Sequence, residues 1–166
     1  MQAAAGMLPQ PSGYLKRIRE LCTKYHVLLI ADEVATGFGR TGKMFACETF
    51  NITPDVLVVS KQITSSYMPL SAILMNDRFY QPIADESDRI GSFGHGYTAS
   101  GHPVATAVGL ENLKIIQERD LVGHVADLQD TFLSGLAELV KHPVVHSSRG
   151  IGLIGALEIK PWTDAK

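Results

Sequence analysis

Residues 27–34, VLLIADEV, and 55–61, DVLVVSK, decide the fold. Each is a short apolar run that turns polar at its carboxyl end, into Asp32-Glu33 in the first and Ser60-Lys61 in the second. Apolar runs of this length without polar alternation suit strands covered on both faces, as in a parallel sheet. A third run, PLSAILMN at 69–76, follows. Upstream, SGYLKRIRELCTKYH at 12–26 places Leu15, Ile18 and Cys22 on one helical face with Leu21 beside them, and offers Ser12 as N-cap. Helix alternating with buried strand predicts an α/β fold of the doubly wound kind. Ligands of such sheets sit beyond the carboxyl ends of the strands. Asp32 and Lys61 stand at two of those ends.

Outward from these runs, TGFGRTGK at 36–43 holds three glycines in eight residues and reads as a loop. A helix is expected at 77–84 and a glycine-rich loop at 91–102, after which Pro103 opens another helix. Residues 121–141 read as an amphipathic helix ended by His142-Pro143, and 144–160 as two strands around Gly150 and Gly152. The 166 residues, 45% hydrophobic and 19% charged, describe a soluble globular chain with enough material for one core. No apolar run approaches the roughly 18 residues of a membrane span, and the first residues carry no secretory pattern. A formal charge of −2 without a basic stripe argues against nucleic acid as a partner. Cys22 and Cys47 stand alone, which points to a reducing, cytoplasmic compartment. His95 and His102 have no supporting ligands, so no metal site is expected. On periodicity alone, a helix-capping Asp32 and a solvated Lys61 are the more ordinary account of the two strand ends.

Longer motifs narrow the choice. LLIADEVATGFGRTGKMFACE at 28–48, ITPDVLVVSKQITSSYMPLSA at 52–72 and FGHGYTASGHPVATAVGLENLKII at 93–116 together resemble the class III (omega) aminotransferases. The resemblance implies the fold type I large domain of pyridoxal-phosphate enzymes, a mostly parallel sheet with helices on both faces. Residues 1–122 would be the C-terminal part of that cofactor-binding domain, and 123–166 a connecting helix and the start of a small domain. It also implies that pyridoxal phosphate is the cofactor. Lys61 would hold its aldehyde as a Schiff base and shuttle the proton, Asp32 would pair with the ring nitrogen, and Val34 would press one ring face. Thr98 would bind the phosphate of the neighbouring subunit in a homodimer with shared sites.

The same resemblance sets expectations about activity. HGYTASGHP and SKQITSSYMPLSA look most like enzymes that move an amino group from an amine or omega-amino acid to a keto acid such as pyruvate. MLPQPSGYLKRIRELC through GKMFACE also resembles the diaminopelargonate-forming enzymes of biotin synthesis. The family's glycine/serine phosphate loop, its ring-stacking aromatic residue and its carboxylate-binding C-terminal arginine have no counterpart in these residues. On that reading 1–166 is an internal piece, catalytically inactive alone, or a non-catalytic fragment. Glu33 is expected either in the outer shell of the site or in a structural hydrogen bond, and Arg40 and Arg149 in holding loops or turns. Tyr67 and Tyr97 flank the expected site. Many members carry a glycine pair where Ser65-Ser66 stand; serine is expected there only if φ is not positive.

Overall fold

The computed structural model describes residues 2–161. Helix α1, Tyr14–Lys24, starts after Gly13, which holds the N-cap position at φ 78 without a side-chain cap. Ser12 is therefore not the cap. A left-handed turn that glycine adopts freely sets the start instead. Leu15, Ile18, Leu21 and Cys22 are all half-buried, as helical spacing requires.

Strand β1, Ile30–Asp32, pairs in parallel with β2, Val56–Val59, with Asp32 opposite Val58. Strand β3, Ala72–Met75, pairs with β2 antiparallel, Ala72 opposite Val59. Among the described residues this three-stranded sheet is mixed, with one parallel and one antiparallel pair. The cause is the β2–β3 connection. It holds no crossover helix, only a 3₁₀ turn over Lys61–Thr64 followed by Ser65 and Ser66 at φ 49 and 64, which send the chain back along β2. Serine thus occupies two left-handed positions, against the expectation for this pair. Hydrogen bonds hold it there: Ser65 Oγ donates to Asn112 Oδ1 at 2.7 Å, and Ser66 N donates to the Lys61 carbonyl at 3.3 Å.

Burial on both faces holds for β2 but not for β1. Val56 and Val59 of β2 are 4% and 1% exposed, whereas Ile30 of β1 is 58% exposed. β1 and β3 are the edges of the sheet and β2 its centre. The apolar run at 27–34 also enters the ladder late, because Leu29 N donates to the Asp55 carboxylate at 2.8 Å before the strand begins.

Helix α2 is short, Ala46–Thr49. Helix α3, Asp77–Ile90, is capped by Asn76, whose Oδ1 accepts from Phe79 N at 3.1 Å, and it runs past the expected end at 84 to Gly91 at φ 80. Helices α4, Pro103–Glu118, and α5, Leu121–Leu139, follow as expected. The core sits where Phe38 of the glycine loop, Val59 of β2 and Ile116 of α4 meet, with Leu113 and Val122 packed around them. α4 reaches the 3₁₀ turn closely because Gly109 has no side chain; a Cβ there would lie 3.1 Å from Leu70 Cδ2. Strands β4, Val145–Ile151, and β5, Ile154–Ile159, form an antiparallel pair packed on α5. Its turn presses on the glycine loop: Leu153 N donates to the Arg40 carbonyl at 3.0 Å, and a Cβ on Gly152 would meet that oxygen at 2.3 Å.

One buried carboxylate ties these pieces together. Asp55, 6% exposed, accepts from Arg19 Nη1 at 2.7 Å, from Leu29 N at 2.8 Å and from Asn76 Nδ2 at 3.0 Å. The Arg19 hydrogen bond, then that of Leu29, pulls the Asp55 carboxyl down to about 2. Its folded value lies below the unfolded one, so its contribution to stability is full above the ordinary carboxylate range, near pH 4, and is lost as pH falls towards 2. Asp55→Ala strands Arg19 and Asn76 and is expected to cost roughly 3–5 kcal/mol at neutral pH. Urea unfolding at pH 7 and pH 3 checks both points: Asp55→Asn should flatten the acid loss seen in the unsubstituted chain.

Candidate active site

β1 and β2 run in the same direction and end at the same edge of the sheet. Asp32 is the last residue of β1, and Glu33 N still donates to the Val58 carbonyl at 2.9 Å before the chain leaves the sheet. Lys61 opens the 3₁₀ turn just beyond β2. The two therefore face one cavity of about 470 Å³, lined also by Val34, Ala35, Thr36 and residues 2–5. Its volume is within the range of small-molecule sites. Asp32 Oδ1 accepts from Val34 N at 3.0 Å, which fixes the carboxylate against the first turn of the loop.

Three of the four candidate residues, Asp32, Val34 and Lys61, meet in this cavity. Thr98 does not line it. It lies in an exposed turn just ahead of α4. Beside it, Tyr97 and Ser100 line a second cavity of about 620 Å³ with Ser60 and Ile73. Tyr67 is 83% exposed and lines neither cavity. His102 Nδ1 accepts from Val104 N at 3.2 Å and caps α4, while the His95 ring stands edge-on between Phe93 and Tyr97.

The other charged residues near these loops hold the structure. Glu33 is 3% exposed and accepts from Thr36 Oγ1, from Ala46 N at 3.0 Å and from Cys47 N at 2.7 Å, so it pins the loop to α2. Burial, with the Glu33 carboxylate next, pushes the Cys47 thiol up to about 11 and leaves it a poor nucleophile. Arg40 holds the β4–β5 turn through its carbonyl, as above. Arg149 of β4 anchors the turn at residues 3–6, donating from Nε to the Gly6 carbonyl at 2.7 Å, and also donates from Nη1 to Glu158 at 2.9 Å.

The backbone at Lys61 is unusual. Lys61 has φ 43, and Ser65 and Ser66 follow with positive φ, so three left-handed non-glycine residues fall within six positions. Such conformations cost of order 1–3 kcal/mol each and persist where surrounding contacts impose them. One of those contacts comes from Asn112, a residue that sequence reasoning passed over. The available signal was its place in the buried stripe of α4, between Gly109 and Ile116, where a polar side chain demands partners.

Strand-end Asp32 and Lys61 thus share one cavity at the start of the glycine loop of an α/β fold. The family model "Aminotransferase class-III" matches residues 1–166, and the chain belongs to that family. It is 43% identical over 154 residues to the probable gamma-aminobutyrate transaminase 3, mitochondrial, of Oryza sativa subsp. indica, covering 93% of this chain and 30% of that protein. The adenosylmethionine-8-amino-7-oxononanoate aminotransferase of Staphylococcus aureus is 40% identical over 166 residues, 100% of this chain and 37% of its own length. Among solved structures, the omega transaminase of Pseudomonas jessenii in complex with PMP superposes with a TM-score of 0.91 at 52% identity, covering 94% of this chain and 34% of that one. The α/β fold is thus the fold of the corresponding part of omega transaminases. The chain spans about a third of the length of the curated relatives it matches. No helix among the described residues is long and apolar enough to cross a membrane.

Proposed function

We propose that the protein containing this chain is a pyridoxal-phosphate-dependent transaminase that moves an amino group from an amine or omega-amino acid to a keto acid such as pyruvate. One observation carries this reading: the Asp32 carboxylate and the Lys61 amine, at the ends of adjacent parallel strands, share a cavity of small-molecule size. A carboxylate for a pyridine nitrogen and an amine for an aldehyde are the donor set the cofactor needs, so these residues fit it. When bound, it supplies an electron-withdrawing ring. Asp32 favours the protonated ring nitrogen by its charge. Val34, one turn beyond, covers a ring face. Lys61 Nζ would hold the cofactor by its aldehyde and would be the group that moves a proton at the reacting carbon. Thr98, away from its own cavity, is assigned to the phosphate of a second copy, in a homodimer with shared sites. Residues 1–122 then form the cofactor-binding part and 123–166 the start of a second domain. Two free, half-buried cysteines support a reducing, cytoplasmic setting.

The 52% identity with an omega transaminase, against 40–43% with the two curated relatives, favours the amine:pyruvate reaction. A second reading, formation of diaminopelargonate for biotin, is supported by the match to the Staphylococcus aureus enzyme along the whole of this chain. Alanine formation from pyruvate, measured with 1-phenylethylamine, beta-alanine and gamma-aminobutyrate as donors, tests the first. Adenosylmethionine with 8-amino-7-oxononanoate tests the second. Product from at least one of the first three donors is expected. Product only from the last pair would transfer the assignment to biotin synthesis, and none from any would overturn the transaminase reading in favour of a non-catalytic role.

A further inference from the structure

We propose that Asn112 of α4 is a positioning residue for Lys61, holding the turn over 61–66 in the left-handed conformation that presents the Lys61 amine to the Asp32 cavity. This rests on Lys61 being the cofactor lysine. The turn is strained at Lys61, Ser65 and Ser66, with φ 43, 49 and 64. Its backbone bonds are few: Ile63 N to the Ser60 carbonyl at 3.1 Å, Tyr67 N to the Thr64 carbonyl at 3.0 Å, and the longer Ser65 N to Gln62 and Ser66 N to Lys61 carbonyls at 3.2 and 3.3 Å. Such closure alone does not offset three unfavourable conformations of order 1–3 kcal/mol each.

The Asn112 amide supplies the rest. Its Nδ2 donates to the Gln62 carbonyl at 2.7 Å and the Ile63 carbonyl at 3.3 Å, while its Oδ1 accepts from Ser65 Oγ at 2.7 Å. Gln62 Nε2 closes the set on Ser65 Oγ at 3.3 Å. One side chain thus bonds three of the four residues that follow Lys61. The helix that carries it is seated on the turn: a Cβ on Gly109 would stand 3.6 Å from the Ile63 carbonyl, and Thr64, 1% exposed, locks the far side by donating to the Met68 carbonyl at 2.6 Å. Asn112 does not line the Asp32 cavity, so it acts through the turn. Without it the strained residues relax towards negative φ, and the Lys61 side chain swings with its backbone. A displacement near 1 Å at a reacting group costs about 10²-fold in rate.

The test separates positioning from packing. In the whole protein that contains this chain, Asn112→Ala should slow capture of pyridoxal phosphate by cofactor-free protein about tenfold or more, read by borohydride trapping and the mass of the Lys61 peptide. It should lower kcat far more than it raises KM for the amine donor. Ser66→Gly, at a position Asn112 does not touch, supplies the left-handed conformation without strain. It should restore much of the capture rate and kcat in the Asn112→Ala background. Normal capture and turnover in folded Asn112→Ala would overturn the proposal, as would loss of both without rescue by Ser66→Gly, which would mark Asn112 as packing alone. If Asn112→Ala does not fold, Ser65→Ala removes only the hydroxyl link and carries the same test, with the same rescue. Lys61→Ala is the separate control: cofactor still trapped on another lysine would defeat the assignment of Lys61, whatever Asn112 does.

Discussion

Lys61→Ala is expected to leave no cofactor trapped by borohydride and to lower transamination by at least about 10³-fold, because in the proposed role one amine would both hold the cofactor and move the proton. The position makes this demanding. Lys61 leaves the sheet immediately after β2, beside the end of β1, and lines the same cavity as Asp32. The exposed Lys43 of the glycine loop has no such placement. Peptide mapping after reduction should therefore find label on Lys61, and label on Lys43 or any other lysine would remove it from the role. Subunit mixing extends the result. In a verified heterodimer of Lys61→Ala and Thr98→Ala, sharing places both lesions in one site and leaves the other intact, so activity returns. If Thr98 served its own subunit's site, each site would carry one lesion and activity would stay low.

How much of this was legible in the sequence depended on the range of the interactions. Asp32 and Lys61 stood out because each closes an apolar run, and strand ends are where open sheets place ligands. The half-buried face of α1, the proline start of α4 and the glycine loop were legible because their causes lie within a few residues. The antiparallel β3 was not, because its direction is set by left-handed Ser65 and Ser66, and Ser65 is hydrogen-bonded to a partner 47 residues away. Composition at 60–71 gives no sign of that partner. Asn112 escaped notice for the same reason, being a polar residue on the face of α4 that otherwise reads as core, with Ala105, Gly109 and Ile116. The run at 27–34 suits a doubly covered strand, and among the described residues β1 is an edge with Ile30 58% exposed. Apolar content reports what a strand is suited to meet, and the residues that cover it lie outside its own pattern.

Asp32→Asn should keep the cofactor and lose most of the turnover, by roughly 10²–10³-fold, the scale on which a placed electrostatic partner acts. The substitution is nearly isosteric. Its amide oxygen can still accept from Val34 N, now at 3.0 Å from Asp32 Oδ1, so the turn that shapes the cavity is retained. Capture on Lys61 should proceed, since that bond is made by the amine and not by the carboxylate. What the amide cannot do is favour a proton on the ring nitrogen by charge, and the ring would then withdraw electrons less strongly. The two measurements accordingly part company: borohydride-trapped cofactor per chain near the unsubstituted value, and kcat far below it. Loss of both together would instead mean that Asp32 shapes the cavity, since the Asx turn and not the charge would have been decisive. Turnover close to that of the unsubstituted protein would remove Asp32 from the reaction altogether, while the case for Lys61 would stand on its own label.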